Sequence, residues 1–301
     1  MAPEGPDPLR WLLPILPALA AVALVDRGAA RRGLAPPAQS LPRRAAMAAI
    51  LAVVFYLGIF APVAWAGHLP RIDPESLGAP DLFFLHAVLV AALLAYFQLG
   101  YGGGGGGVSE ETPVRALIRT CGLRPSDSSG EGITREIGIG LLAGPFLWLA
   151  VLLAVGAVGL LVRFLGLDDL LPKATPELIV FMASLPVLLR LALSISAGVV
   201  EEIFFRGFLQ RRVGAGMSTL FFVLAHLTYD APLMLVGVTL LSLSFAGMTA
   251  LRGNVWPAVA AHSLFDAVQL LWIVPTAMEL QGGEKGAPIT ALLAWLPGTI
   301  W

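Results

Sequence analysis

The chain has 301 residues, of which 57% are hydrophobic and only 13% charged, and its mean hydropathy is +0.82. Such a composition excludes an ordinary soluble domain, and a net charge of −1 removes the basic footprint of a nucleic-acid-binding protein. A single cysteine, Cys121, allows neither an intrachain disulfide nor a Cys-rich metal site.

The apolar residues come in long blocks, the pattern of a polytopic helical membrane protein. Eight blocks predict spans in chain order: Leu9–Val25, Ala46–Ala66, Leu82–Leu99, Ile137–Val162, Leu178–Val200 and onward, Met217–Leu227, Ala231–Leu251 and Val255–Val274. Most approach the roughly 20 residues needed to cross a hydrocarbon core, the sixth being short. Acidic residues precede the first block and five arginines follow it, so it reads as a retained helix instead of a cleaved leader. The apolar tail, residues 289–301, is too short to span and suits the membrane interface or the bundle surface.

Arginines sort the connections. Arg27, Arg31, Arg32, Arg43 and Arg44 follow the first span, and Arg115, Arg119, Arg124 and Arg135 the third. Arg211 and Arg212 follow the fifth, and Arg252 the seventh. Alternating spans put all of these on one side, which the positive-inside rule makes cytoplasmic. Three regions are expected: a three-helix region at 1–100, a flexible Gly/Ser-rich cytoplasmic loop at 101–132, and a C-terminal core at 133–301. The loop contains "YGGGGGG" and "RPSDSSGEG", which are linker compositions. Its glycine run has no Lys-Ser/Thr after it and is not a phosphate loop. "GLLAG", residues 140–144, fits a small-residue packing face, and Pro145 suggests a kink.

Ionisable residues inside spans are functional candidates, and here they concentrate in the C-terminal half. In "EEIFFR", residues 201–206, Glu202 and Arg206 are four apart and can form a structural ion pair on one helix face. Glu201 lies about 100° away and is left over. "FVLAH", residues 222–226, places His226 in the sixth span. "HSLFD", residues 262–266, puts His262 and Asp266 on one face of the eighth. Counted from the nearest cytoplasmic helix end, Glu201, His226 and His262 lie roughly 12–15 Å deep at the helical rise. Three helices thereby bring a carboxylate and two imidazoles to one level. His86, with no acidic partner in its own segment, reads as structural.

The residues permit two chemistries. Glu201 can act as general base on a water that His226 also holds, with His262 donating to an oxyanion. Alternatively Glu201, His226 and His262 can ligate zinc and leave a fourth position for water. Intramembrane Glu and His also serve proton relays, so a proton-coupled transporter is a second class of reading, and a non-catalytic membrane adaptor a third.

At these positions the sequence resembles the CPBP family of intramembrane proteases. That family joins type II CAAX prenyl endopeptidases with bacterial Abi and bacteriocin-related proteins. Its marks are Glu-Glu-x-x-x-Arg, Phe-x-x-x-His and His-x-x-x-Asn/Asp in that order, here "EEIFFR", "FVLAH" and "HSLFD" within residues 178–274. The resemblance implies a helical membrane endopeptidase in which Glu201 activates water, His226 assists, and His262 and Asp266 stand at the oxyanion positions. Members are commonly described as metalloproteases, although the implied mechanism needs only the glutamate. Asp266 departs from the Asn of eukaryotic prenyl endopeptidases. An ionised Asp only accepts hydrogen bonds, so Asp266 either carries a proton or orients His262. The expectation is therefore an all-α multi-pass protein of the plasma membrane, with a peptidase site opening toward the cytoplasm. Its partners are the lipid bilayer and a protein or peptide substrate, with no nucleic acid.

Overall fold

The computed structural model describes residues 11–37, 40–65, 76–102, 111–125, 132–171, 177–227 and 232–282, and all regular structure among them is helical. The apolar tail and most of the glycine run lie outside these residues. Helix α1 (Ile15–Arg31) is followed by α2 (Leu41–Phe55), which starts with Pro42 in its first turn and continues through a widened turn, Tyr56–Phe60, to Ala64. Proline is tolerated there because the first-turn N–H groups have no partner within the helix. Then come α3 (Phe84–Tyr101), α4 (Pro113–Thr120), α5 (Gly132–Phe164) and α6 (Glu177–Ser184). Helix α7 (Val187–Glu201) runs on as a widened π-helical stretch, Glu202–Gln210, and ends at Arg211–Val213. Gly214, at φ 92°, turns the chain into α8 (Ala215–Ala225). The last two helices are α9 (Pro232–Arg252) and α10 (Trp256–Val268), the latter widened at Gln269–Ile273 and continuing as Val274–Gly282.

The protein is a multi-pass, all-α membrane protein. Five stretches are long and apolar enough to cross a bilayer: Leu41–Trp65, Phe84–Tyr101, Gly132–Phe164, Leu233–Arg252 and Trp256–Glu279. The other three expected spans are also helical but differ in kind. Helix α1 has 17 residues, α7 carries Arg190, Glu201, Glu202 and Arg206, and α8 has only 11 residues. At 1.5 Å per residue, α8 covers about 17 Å and cannot cross alone.

Part of the stretch that reads as a flexible linker is a helix. Pro113 occupies the first turn of α4, and Thr112 Oγ1 caps it by accepting the Arg115 N–H. Ala116, Thr120 and Cys121 turn inward and are buried, while Arg119 grips Glu111 with two 2.8 Å hydrogen bonds. That guanidinium holds the Glu111 carboxyl below its usual range. Composition concealed the helix because its flanks are so rich in glycine and serine.

One cluster of buried apolar side chains runs from Ala18 in α1 through Phe97 and Phe208 to Ala277, so the first three helices share a core with the last. Helix α10 packs chiefly on α5 and α7. Glycines permit the close approach: a Cβ on Gly140 would lie 2.2 Å from the Pro257 carbonyl oxygen, and one on Gly144 2.8 Å from Leu264. The "GLLAG" face of α5 is thus spent on α10. The arginine-rich connections meet at one end of the bundle. Arg32 donates to the Arg211 carbonyl and Arg211 to that of Gly253, while Val255 N–H donates to Gly122 and the Trp256 indole to Leu123.

Burial pushes the Cys121 thiol up from its ordinary value, and the side chain is sealed against Gly207. A maleimide is expected to label Cys121 slowly in detergent-solubilised native protein and rapidly after denaturation. Fast native labelling, followed by mass spectrometry, would show that this contact is not made.

Candidate functional site

Helix α7 supplies Ser196, Glu201, Glu202 and Arg206, and a close contact aims them at α10. Gly198 makes it: a Cβ there would lie 2.1 Å from Ser263 Oγ and 2.8 Å from the Ser263 backbone nitrogen. The widened turns begin at Glu202, directly after Glu201. Such turns are frequent at functional sites, and they change which side chains face the same way.

Glu202 is the centre of a buried chain of charge. Its Oε1 lies 2.9 Å from Arg206 Nη1 and accepts a 2.8 Å hydrogen bond from His262 Nδ1. His262 Nε2 faces Asp266 Oδ2 at 3.4 Å, one turn along α10. All four side chains are at most 1% exposed. Aromatic rings wall the chain. The Arg206 guanidinium sits 4.3 Å from the Phe222 ring centre and 5.4 Å from that of Phe245, and Phe245 stacks on His262. A buried cation over ring faces gains from the ring quadrupole.

His226 is held differently. It ends α8, and its own N–H bonds three residues back to Val223. The Phe222 carbonyl, left over at the helix terminus, accepts a 2.6 Å hydrogen bond from His226 Nδ1. A carbonyl can only accept, so the proton is on Nδ1 and the lone pair of the neutral ring is on Nε2. The Phe222 ring stacks on the same imidazole, 4.5 Å between centres. The spacing Phe-x-x-x-His thus has a local physical reason: one residue supplies both the tautomer-fixing carbonyl and the stacking face.

Glu201 stands apart from its neighbour. It is fully buried, and neither carboxylate oxygen accepts a hydrogen bond from the described residues. His226 and His262 both lie within its electrostatic reach. The hydrogen bond of His262, however, goes to Glu202. The contact that sequence reading did not anticipate is His86, on α3: its Nε2 lies 3.9 Å from Glu201 Oε1. Reading each segment for its own acidic partner missed it, since the partner lies on another helix. Its burial signal was the rarity of histidine in an apolar run.

The set does not fit zinc. Both His262 nitrogens are directed at carboxylates, and among the described residues no three His, Cys, Asp or Glu groups converge as a metal site requires. The alternative in which Glu201, His226 and His262 share a metal therefore lacks the donor geometry, and the chemistry below uses the side chains alone.

Residues 183–268, which include every one of these groups except His86, match the family model described as type II CAAX prenyl endopeptidase, Rce1-like. That segment is similar to an Rce1-like domain. At the level of the family, that domain is the one of CAAX-type intramembrane proteases. Neither a curated protein nor a solved structure matches the chain. The Rce1-like segment begins just before α7 and ends in α10, so α1 to α5, including the helix that delivers His86, lie outside it.

Removing Arg206 strands a buried carboxylate. Arg206→Ala is expected to cost about 3–5 kcal/mol of stability, read as a lowered unfolding midpoint in detergent. The double change Glu202→Gln with Arg206→Met should cost clearly less. Equal stability of Arg206→Ala and the parent would show that the pair is not buried as described.

Proposed function

We propose that the protein is an intramembrane endopeptidase in which Glu201 and His226 activate a water molecule against a peptide bond. The observation that carries this reading is the contrast between two adjacent buried glutamates. Glu202 is neutralised by Arg206 and His262, whereas both oxygens of Glu201 remain without a hydrogen-bond donor among the described residues. A buried carboxylate with no donor is costly unless it has a task.

The steps follow from the atoms available. A water lies between Glu201 and the Nε2 lone pair of His226. Glu201 takes one of its protons, and the hydroxide attacks the scissile carbonyl carbon, giving a tetrahedral oxyanion. His262 stabilises that charge through Nε2–H, which swings from Asp266 to the oxyanion. Its contact to Asp266, 3.4 Å, is the looser of its two and therefore the one to yield. The intermediate collapses, the C–N bond breaks, and Glu201 returns its proton to the leaving amine. Glu202 and Arg206 hold His262 in orientation throughout, and Asp266 acts as an acceptor that directs the ring. This role removes the difficulty of an aspartate that cannot donate to the oxyanion.

The substrate is a protein or peptide whose cleavage point reaches the bilayer, and the site works from the cytoplasmic side of the plasma membrane. The gathering of the arginine-rich connections at one end of the bundle supports that orientation. The regions before 100 and after 133 then act as one catalytic body, in keeping with their shared core.

The test uses purified protein in vesicles and quenched fluorogenic peptides ending in a CAAX sequence, with and without a farnesyl group. Glu201→Gln is expected to lower turnover by about 10²–10⁴-fold while the unfolding midpoint stays near that of the parent. A strong chelator should leave parental turnover unchanged. Full turnover by folded Glu201→Gln would sink the reading. Glu201-dependent solute flux without cleavage would replace it with a carrier.

A further inference from the structure

We propose that His86 is a positioning residue for Glu201, so that the general base of the reaction proposed above is oriented by a helix outside the Rce1-like segment. The inference rests on that reading of Glu201 and on three features of His86. It is 3% exposed, in the apolar helix α3, where an imidazole is expensive. Its Nδ1 lies 2.8 Å from Ser196 Oγ, and its Nε2 lies 3.9 Å from Glu201 Oε1. Ser196 and Glu201 both belong to α7, so a single ring from α3 is anchored to that helix at one point and directed at its carboxylate with the other end.

The chemistry of the two contacts fixes the polarity of the ring. A carboxylate is an acceptor, so a lone pair on Nε2 would face other lone pairs in a buried place. The favourable arrangement has the proton on Nε2, pointing to Glu201, and the Ser196 hydroxyl donating to Nδ1. At 3.9 Å the Nε2 contact is longer than a hydrogen bond. It therefore biases the direction of the carboxylate without satisfying either oxygen, and both remain available to a water. Phe83 lies beside the ring, 6.3 Å between centres, and limits its tilt. A group bonded fully to Glu201 would quench it as a base; a group at this distance turns it.

A positioning role separates from a structural one by kinetics. His86→Phe keeps the ring volume and removes the donor, while His86→Gln keeps an N–H close to the place of Nε2. With the fluorogenic CAAX peptide in vesicles, His86→Phe is expected to lower kcat by about 100-fold, the scale of a misplaced reacting group, with KM changed little. His86→Gln should recover at least a tenfold part of that loss. Ser196→Ala, which leaves the imidazole in place but unanchored, should give an intermediate kcat and serves if His86→Phe does not fold. Parental kcat in folded His86→Phe, or a His86→Gln no better than His86→Phe at equal unfolding midpoints, would overturn the proposal. Glu201→Gln measured alongside separates the two claims. If it is dead while His86→Phe is fully active, only the positioning role fails; if it turns over normally, the peptidase reading fails first.

Discussion

A carboxylate, a guanidinium, an imidazole and a second carboxylate, linked from Arg206 through Glu202 and His262 to Asp266, make up the one interaction on which the C-terminal core depends. No member could be buried alone. Charges in an apolar interior are tolerated only when each has a close partner, and here each has one on its own helix or on the helix opposite. The chain also crosses between α7 and α10. It therefore does two things at once: it ties the helices together and fixes the rotation of His262. The aromatic rings of Phe222 and Phe245 complete it by covering the guanidinium and imidazole with faces that attract positive charge.

Glu201 owes its character to exclusion from this chain. It lies on the same helix and is as deeply buried as Glu202, yet its charged contact is the imidazole of His86 instead of an arginine. Two adjacent residues of one chemical type so acquire different surroundings, one inside the chain of charge and one outside it, through the roughly 100° that separates them round the helix. The tautomer of His226 is settled by an equally economical device, the spare carbonyl at the end of a short helix. Helix α8 is too brief to span a membrane, and its early end is what delivers that carbonyl and the ring to the middle of the bundle.

Much of this could be read from residues alone, and the remainder had identifiable reasons to stay hidden. The apolar blocks translate directly into helices because backbone groups in hydrocarbon must bond within their own segment. The four-residue spacings of Glu202 with Arg206 and His262 with Asp266 put each pair on a common face. Periodicity could not tell which of two neighbouring glutamates His262 would meet, since the answer depends on how α7 is rotated against α10 and on the widening that starts at Glu202. His86 stayed invisible because its partners are more than a hundred positions away in the chain. The small helix α4 was masked by its flanks, where glycine and serine outweigh the eight residues that fold.

The contact at Gly198 has a mechanical consequence. Any side chain in place of Gly198 would have to displace Ser263 and the α10 backbone behind it, so the approach of α7 to α10 holds only while that position has no Cβ. Helix α10 meets α5 in the same manner at Gly140 and Gly144, so enlarging any one of these three residues would wedge apart the helices that carry the chain of charge.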